Sequence, residues 1–160
     1  VVDTVDQLRR SLVEEFGNVY ENYGLARLKG LIVGLLLAYD EPQSLDDIAE
    51  KLGRSKGPIS QTIRELALGG LVRKTKGASA RRDYYEADPD LFYNNFRRNM
   101  RTVVKNRTTA EHFLGELDRT GADADGLRAN LEHMRAFYAL MEDFYARFEQ
   151  EWDRAKPNGR

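Results

Sequence analysis

The chain has 160 residues, a net charge of −1 and apolar and charged fractions of 41% and 32%, the composition of a folded globular domain rather than a disordered tail. It has no cysteine, which excludes a disulfide framework and a thiolate zinc site and suits a reducing, cytoplasmic setting. His112 and His133 lie 21 residues apart without metal-pair spacing, and the apolar run 31–38 falls short of the roughly 20 residues that cross a bilayer. No metal, cofactor or membrane association is expected, and nothing in the opening VVDTVDQLRR suggests secretion.

In chain order, Thr4 and Gln7 have capping-box spacing, and Val5, Leu8, Leu12, Phe16, Val19 and Tyr23 then repeat at three and four residues. This predicts an amphipathic helix to about Asn22, closed by Gly24 in a left-handed conformation. A second helix, apolar nearly all round in its second half and therefore buried, is expected over 25–39 and is stopped by Asp40-Glu41-Pro42. Ser44 caps a short third helix, with Asp47 placed to reciprocate. Gly53-Arg54 forms a tight turn, Ser55 caps a fourth helix over 56–68, and Pro58 falls in its first turn, where a missing N–H breaks no bond.

Residues 71–76 and 82–87 read as the strands of a hairpin around Gly77-Ala78-Ser79-Ala80. Asp88 and Pro89 fit the cap and first position of a long helix, interrupted over 120–125. The last helix, from about Asp125 to Trp152, carries Leu127, Leu131, Met134, Tyr138, Met141, Tyr145, Phe148 and Trp152 at alternating spacings of four and three. That 3.5-residue period is a coiled-coil-like seam, widened by Phe137, Leu140 and Phe144. The expected fold is mainly α with a small β-hairpin wing: a winged helix-turn-helix over 25–88, flanked by a helical dimerisation region over 1–24 and 89–155.

Charge selects the same segment. Between Arg54 and Arg82 there are eight basic residues and one acid, net +7, so the rest of the chain carries −8. Such polarity is an electrostatic footprint for a polyanion, and duplex DNA fits it best. In the fourth helix Ile59, Ile63 and Leu66 share one face, which turns Gly57, Ser60, Gln61 and Arg64 outward as a short-chained polar face able to enter a major groove. Gln61 suits adenine edges, and Arg64 guanine or phosphate. Lys56, Ser55 and the free N–H groups of the first turn suit a phosphate. Arg81 and Arg82 at the wing tip suit a narrow minor groove, while Ser44, Lys74 and Lys76 complete the expected DNA-binding set. Arg73 and Lys74 also fit solvated strand faces.

The terminal helices point to a second copy of the chain. About 28 residues make a helix of roughly 42 Å, more than a small core covers. Leu8, Leu12, Phe16, Leu131, Met134, Tyr138, Met141, Tyr145, Phe148 and Trp152 are the expected homodimer interface, with packing on the chain's own first and fifth helices as the alternative. Between Glu111 and Asp153 eleven acids face four arginines, so this end should point away from DNA.

These features resemble the GbsR branch of the MarR superfamily of winged-helix regulators. The likeness rests on 15–24 (EFGNVYENYG), 34–37 (GLLL), 44–49 (SLDDIA), Ser55-Lys56-Gly57 and 81–87 (RRDYYEA), and weakens through the helical end. Two backbone departures stand out: Ala26 where the family pattern has proline, and 77–80 in place of a Pro-Gly wing tip. The resemblance implies a homodimer with interlocked terminal helices, a recognition helix in each major groove, flanking wings, and usually repression. Some relatives are linked to choline and glycine betaine, which implies a possible effector. Tyr20, Tyr23, Tyr138, Tyr145 and Trp152 are candidates for an aromatic cage, or equally for a buried helical stripe. A protein-binding winged-helix scaffold is the competing function. The chain lacks the nucleophile elbow, phosphate-cradling glycine loop or metal cluster of an enzyme.

Overall fold

The computed structural model describes residues 4–121 and 123–156. Among them lie helices α1 (Thr4–Asn22), α2 (Arg27–Ala38), α3 (Leu45–Leu52), α4 (Lys56–Leu68), α5 (Leu91–Thr120) and α6 (Asp125–Ala155), and strands β1 (Gln43–Ser44), β2 (Val72–Thr75) and β3 (Tyr84–Ala87). The chain divides into two compact units, one running to Asn95 and the other from Phe96, so the boundary falls inside α5.

The first unit is built around α2, which packs on α1, α3, α4 and β3. Ile32 and Val33 are fully buried, and Ile48, Ile59, Ile63, Leu66, Val72 and Leu91 close the core around them. Small residues set how closely α1 and α2 cross: a Cβ on Gly30 would stand 2.2 Å from the Phe16 carbonyl oxygen. Phe16, expected at a dimer interface, is instead half-buried here and packed against this core.

Helix ends follow the chain's own signals. Gly24 and Gly53 adopt left-handed φ values of 73° and 59°. Ser44 makes the full capping box: its Oγ accepts from Asp47 N at 3.2 Å, and its N donates to Asp47 Oδ2 at 2.8 Å. Ser55 occupies the cap position of α4, but its hydroxyl makes no capping bond. Three boundaries differ from expectation. α2 begins at Arg27 rather than Leu25, after Ala26 in extended conformation. α5 begins at Leu91, because Asp88 to Asp90 form a turn in which Asp88 Oδ1 accepts from Asp90 N. α1 begins at Thr4 itself, which moves its cap position to Asp3, outside the described residues.

The sheet has one strand more than the sequence pattern suggests, with order β1-β3-β2. β2 and β3 pair antiparallel with Val72 opposite Ala87, and Gln43 and Ser44 pair with Tyr85 and Tyr84. β1 thus ties the entry to α3 to the base of the wing. Gly77 lies flat on the buried Tyr84 ring, where a Cβ would come within 2.2 Å of its Cγ.

In the second unit α5 and α6 form an antiparallel hairpin, since partners on α5 and α6 run in opposite order. Phe96 stacks on Tyr145 at 4.7 Å and meets Phe148 at 4.6 Å, Arg107 Nε donates to Glu142 at 2.5 Å, and Arg128 reaches Asp118 at 2.7 Å. Val103, Ala110 and Leu114 are buried on α5, whereas no residue of α6 is. Leu131, Met134, Tyr138, Met141, Tyr145 and Trp152 are half-buried within this unit, which leaves Phe137, Leu140 and Phe144 as the exposed stripe.

Candidate nucleic-acid interface

Phasing by apolar residues builds the site. Ile59, Ile63 and Leu66 are at most 2% exposed, and this anchors α4 with Gly57, Gln61 and Arg64 in solvent and Ser60 at the edge of burial. Nothing lies within 4 Å of a Cβ built on Gly57, so the first turn of α4 is open to close approach. Arg64 Nε donates to the Ser60 carbonyl at 3.3 Å, which lays its guanidinium along the helix surface.

The basic residues fall into two groups that a linear count does not separate. Lys56 pairs with Asp46, whose other oxygen lies 3.8 Å from Arg82. Asp46 of α3 therefore bridges the start of α4 and the wing. Arg73 pairs with Glu86 at 2.5 Å, its cross-strand neighbour, and Lys74 with Asp83 at 2.7 Å. The Asp83 hydrogen bond raises the Lys74 pKa above its ordinary value. Among the described residues Arg54, Arg64, Lys76 and Arg81 enter no ion pair and are exposed. Glu65, the one acid of the segment, is held below its ordinary pKa by hydrogen bonding to Lys29 at 2.8 Å.

Ser44 is the residue of the expected set that the structure takes away from solvent. It is 2% exposed and its hydroxyl donates to Asp47 Oδ2 at 2.6 Å, so its place is structural. The wing tip turns through Ser79, whose Oγ accepts from Arg81 N at 3.3 Å and whose carbonyl accepts from Arg82 N at 3.4 Å. Asp46 was missed as a site residue because it lies outside the basic run; its position one residue into α3, beside the helix-turn-helix, was the available signal.

Elsewhere the chemistry is sparse. Among the described residues no group of three His, Asp or Glu could hold a metal, and no helix is long and apolar enough to cross a membrane. Tyr145, a proposed cage residue, presents its ring to Phe96.

A helix-turn-helix with an exposed basic second helix and a hairpin wing defines the winged-helix class of DNA-binding proteins. No protein-family model matches the chain. The HTH-type transcriptional regulator MmpR5 of Mycobacterium tuberculosis is 33% identical over 150 residues, 89% of this chain and 88% of that protein. The HTH-type transcriptional repressor GbsR of Bacillus subtilis is 27% identical over 88 residues, 55% of this chain and 48% of its own length. Among solved structures, a crystal structure of a transcriptional regulator matches 91% of this chain and 98% of its own at 28% identity, with a TM-score of 0.75. The chain belongs to the MarR-like winged helix-turn-helix transcriptional regulators, in the branch that includes GbsR. It is a DNA-binding regulator and not an enzyme or a scaffold that binds only protein.

Proposed function

We propose that the protein is a homodimeric, sequence-specific repressor working in the cytoplasm, with residues 25–88 as its DNA reader and residues 1–24 and 89–155 as its dimerisation region. The observation that carries the reading is the outward face of α4, where Gly57, Ser60, Gln61 and Arg64 stand clear of the core while Ile59 and Ile63 are sealed beneath. Gln61 and Arg64 read base edges in the major groove. Lys56, with the N–H groups at the start of α4, positions a phosphate, and Ser55, free of a capping bond, supplies a further hydroxyl there. Arg81 and Arg82 enter the flanking minor groove, and Lys76 contacts the backbone. Dimerisation is supported by apolar stripes left in solvent on α1 (Leu8 65%, Leu12 39%) and α6 (Leu140 65%, Phe144 59%, Phe148 44%). Repression is supported by the name of the GbsR relative.

The test is duplex affinity against salt. Arg81→Ala should lower the slope magnitude of log affinity by about one. Lys74→Ala should change it less, because Asp83 already holds that ammonium. Arg64→Ala should cost about 1–3 kcal/mol on selected operator and much less on random duplex. Affinity that ignores both salt and Arg64 would overturn the reading. Choline and glycine betaine belong in the same assay, although Tyr145 stacked on Phe96 argues against an open cage in this conformation.

A further inference from the structure

The first unit contains a cavity of about 420 Å³ bounded by α1, α2 and the end of α3, away from the outward face of α4. Its floor is apolar, formed by Val13, Leu31, Leu35 and Leu52, with Tyr39 beside it. Its wall is cationic: Arg9, Arg10, Arg27, Lys51 and Arg54 line it against the carboxylate of Glu14. Two of these charges are already answered. Arg27 pairs with Glu14 at 2.5 Å and Glu21 at 3.4 Å, and Arg9 with Asp6 at 3.1 Å. Arg10, Lys51 and Arg54 enter no ion pair among the described residues, so three like charges converge on one concavity without compensation.

Arg9 and Lys51 also sit 4.9 Å and 5.1 Å from the centre of the Tyr39 ring. The ring thus already engages two cations, and a quaternary ammonium entering here would meet repulsion from every side chain that should attract it. An apolar floor with convergent cations is the complement of an amphipathic anion. We propose that this cavity is an effector site for an amphipathic organic anion, its carboxylate or phosphate head among Arg10, Lys51 and Arg54 and its apolar body on Val13, Leu31, Leu35 and Leu52. The site goes beyond DNA recognition but is coupled to it. Arg54 lies in the turn that enters α4, so an anion seated there neutralises charge beside the DNA-facing helix and weakens duplex binding, and DNA weakens the anion by the same factor.

The test is calorimetric titration of the intact chain, without DNA, with three ligands sharing one tail and differing in charge: octanoate, octanamide and octyltrimethylammonium. Octanoate should bind at least ten-fold more tightly than octanamide, and the ammonium should give no heat. The double variant Arg10→Gln with Lys51→Gln, both exposed in the folded chain, should keep its melting curve and lose at least ten-fold in octanoate affinity. Octyl phosphate in the same titration distinguishes a phosphate from a carboxylate head by which binds more tightly. Equal affinity for octanoate and its amide, silence from both anions at millimolar concentration, or full octanoate affinity in the double variant would overturn the proposal. So would a double variant that binds DNA more weakly while octanoate is silent in the parent, since the cations would then serve the duplex backbone. Because the titration contains no DNA, failure of the proposed operator reading would leave its outcome intact.

Discussion

At the scale of single residues, the Ser44–Asp47 pair shows how much structure one short exchange carries. Ser44 ends β1, starts α3 and is almost inaccessible, so the hydrogen bonds that Asp47 offers it have no water to replace them. Ser44→Ala should cost about 1 kcal/mol, within the range of about 0.5–2 kcal/mol seen for lost caps. The cost should also depend on pH. The Ser44 hydroxyl first, and its backbone N–H second, hold the Asp47 carboxyl below its ordinary value of 3.8. A carboxyl lowered by folding stabilises the native state above its unfolded pKa and ceases to do so as pH falls through the folded one. Urea unfolding at a series of pH values should therefore show the full difference between wild type and Ser44→Ala at neutral pH, narrowing below about pH 4. A gap that stays constant into strong acid would mean the carboxylate is not the source of the cap's strength.

At the scale of elements, two glycines separate packing from propensity. Glycine to alanine in a helix interior gains about 0.8–1 kcal/mol from propensity alone. Gly57→Ala meets nothing within 4 Å and should gain up to about that much, while the added methyl on the groove face lowers DNA affinity. Gly30→Ala should instead destabilise by about 1–3 kcal/mol, since its Cβ would strike the Phe16 carbonyl, a backbone atom that cannot turn aside. Thermal melts of both variants check the opposite signs. Local periodicity made the helices legible, and it phased α4 correctly, because Ile59, Ile63 and Leu66 repeat within one element. It could not show β1, which is two residues long and has no period of its own. Nor could it show which cations are spent: Asp46 is ten residues from Lys56 and 36 from Arg82, and only folding brings the three together. The 3.5-residue seam of α6 was legible as a stripe, but the way it divides between α5 and solvent depends on how the hairpin closes.

At the scale of the whole molecule, α6 poses the question of what completes the protein. It is 31 residues, about 46 Å of helix, without one buried side chain, and its outer stripe Phe137, Leu140 and Phe144 is 54%, 65% and 59% exposed. Leaving that much aromatic and aliphatic surface in water is costly at roughly 25 cal/mol per Å², and a second copy of the same stripe covers it by symmetry. Leu140→Asp with Phe144→Asp tests this directly, because neither residue is needed to close the hairpin within one chain. Light scattering should show the mass fall from two chains to one while helical circular dichroism is retained. Loss of the second reader then removes the avidity of paired half-sites, so operator affinity should drop by about 10²–10⁴. The salt slope should fall to about half, since each half-site keeps its own phosphate contacts. Leu131→Asp is the contrasting change: it lies half-buried in a groove with Phe113 and Leu117 on α5, and should loosen the hairpin itself and lower helicity. A Leu140→Asp, Phe144→Asp chain that keeps the mass of two copies would place the interface elsewhere, with the exposed α1 stripe of Leu8 and Leu12 the next surface to change.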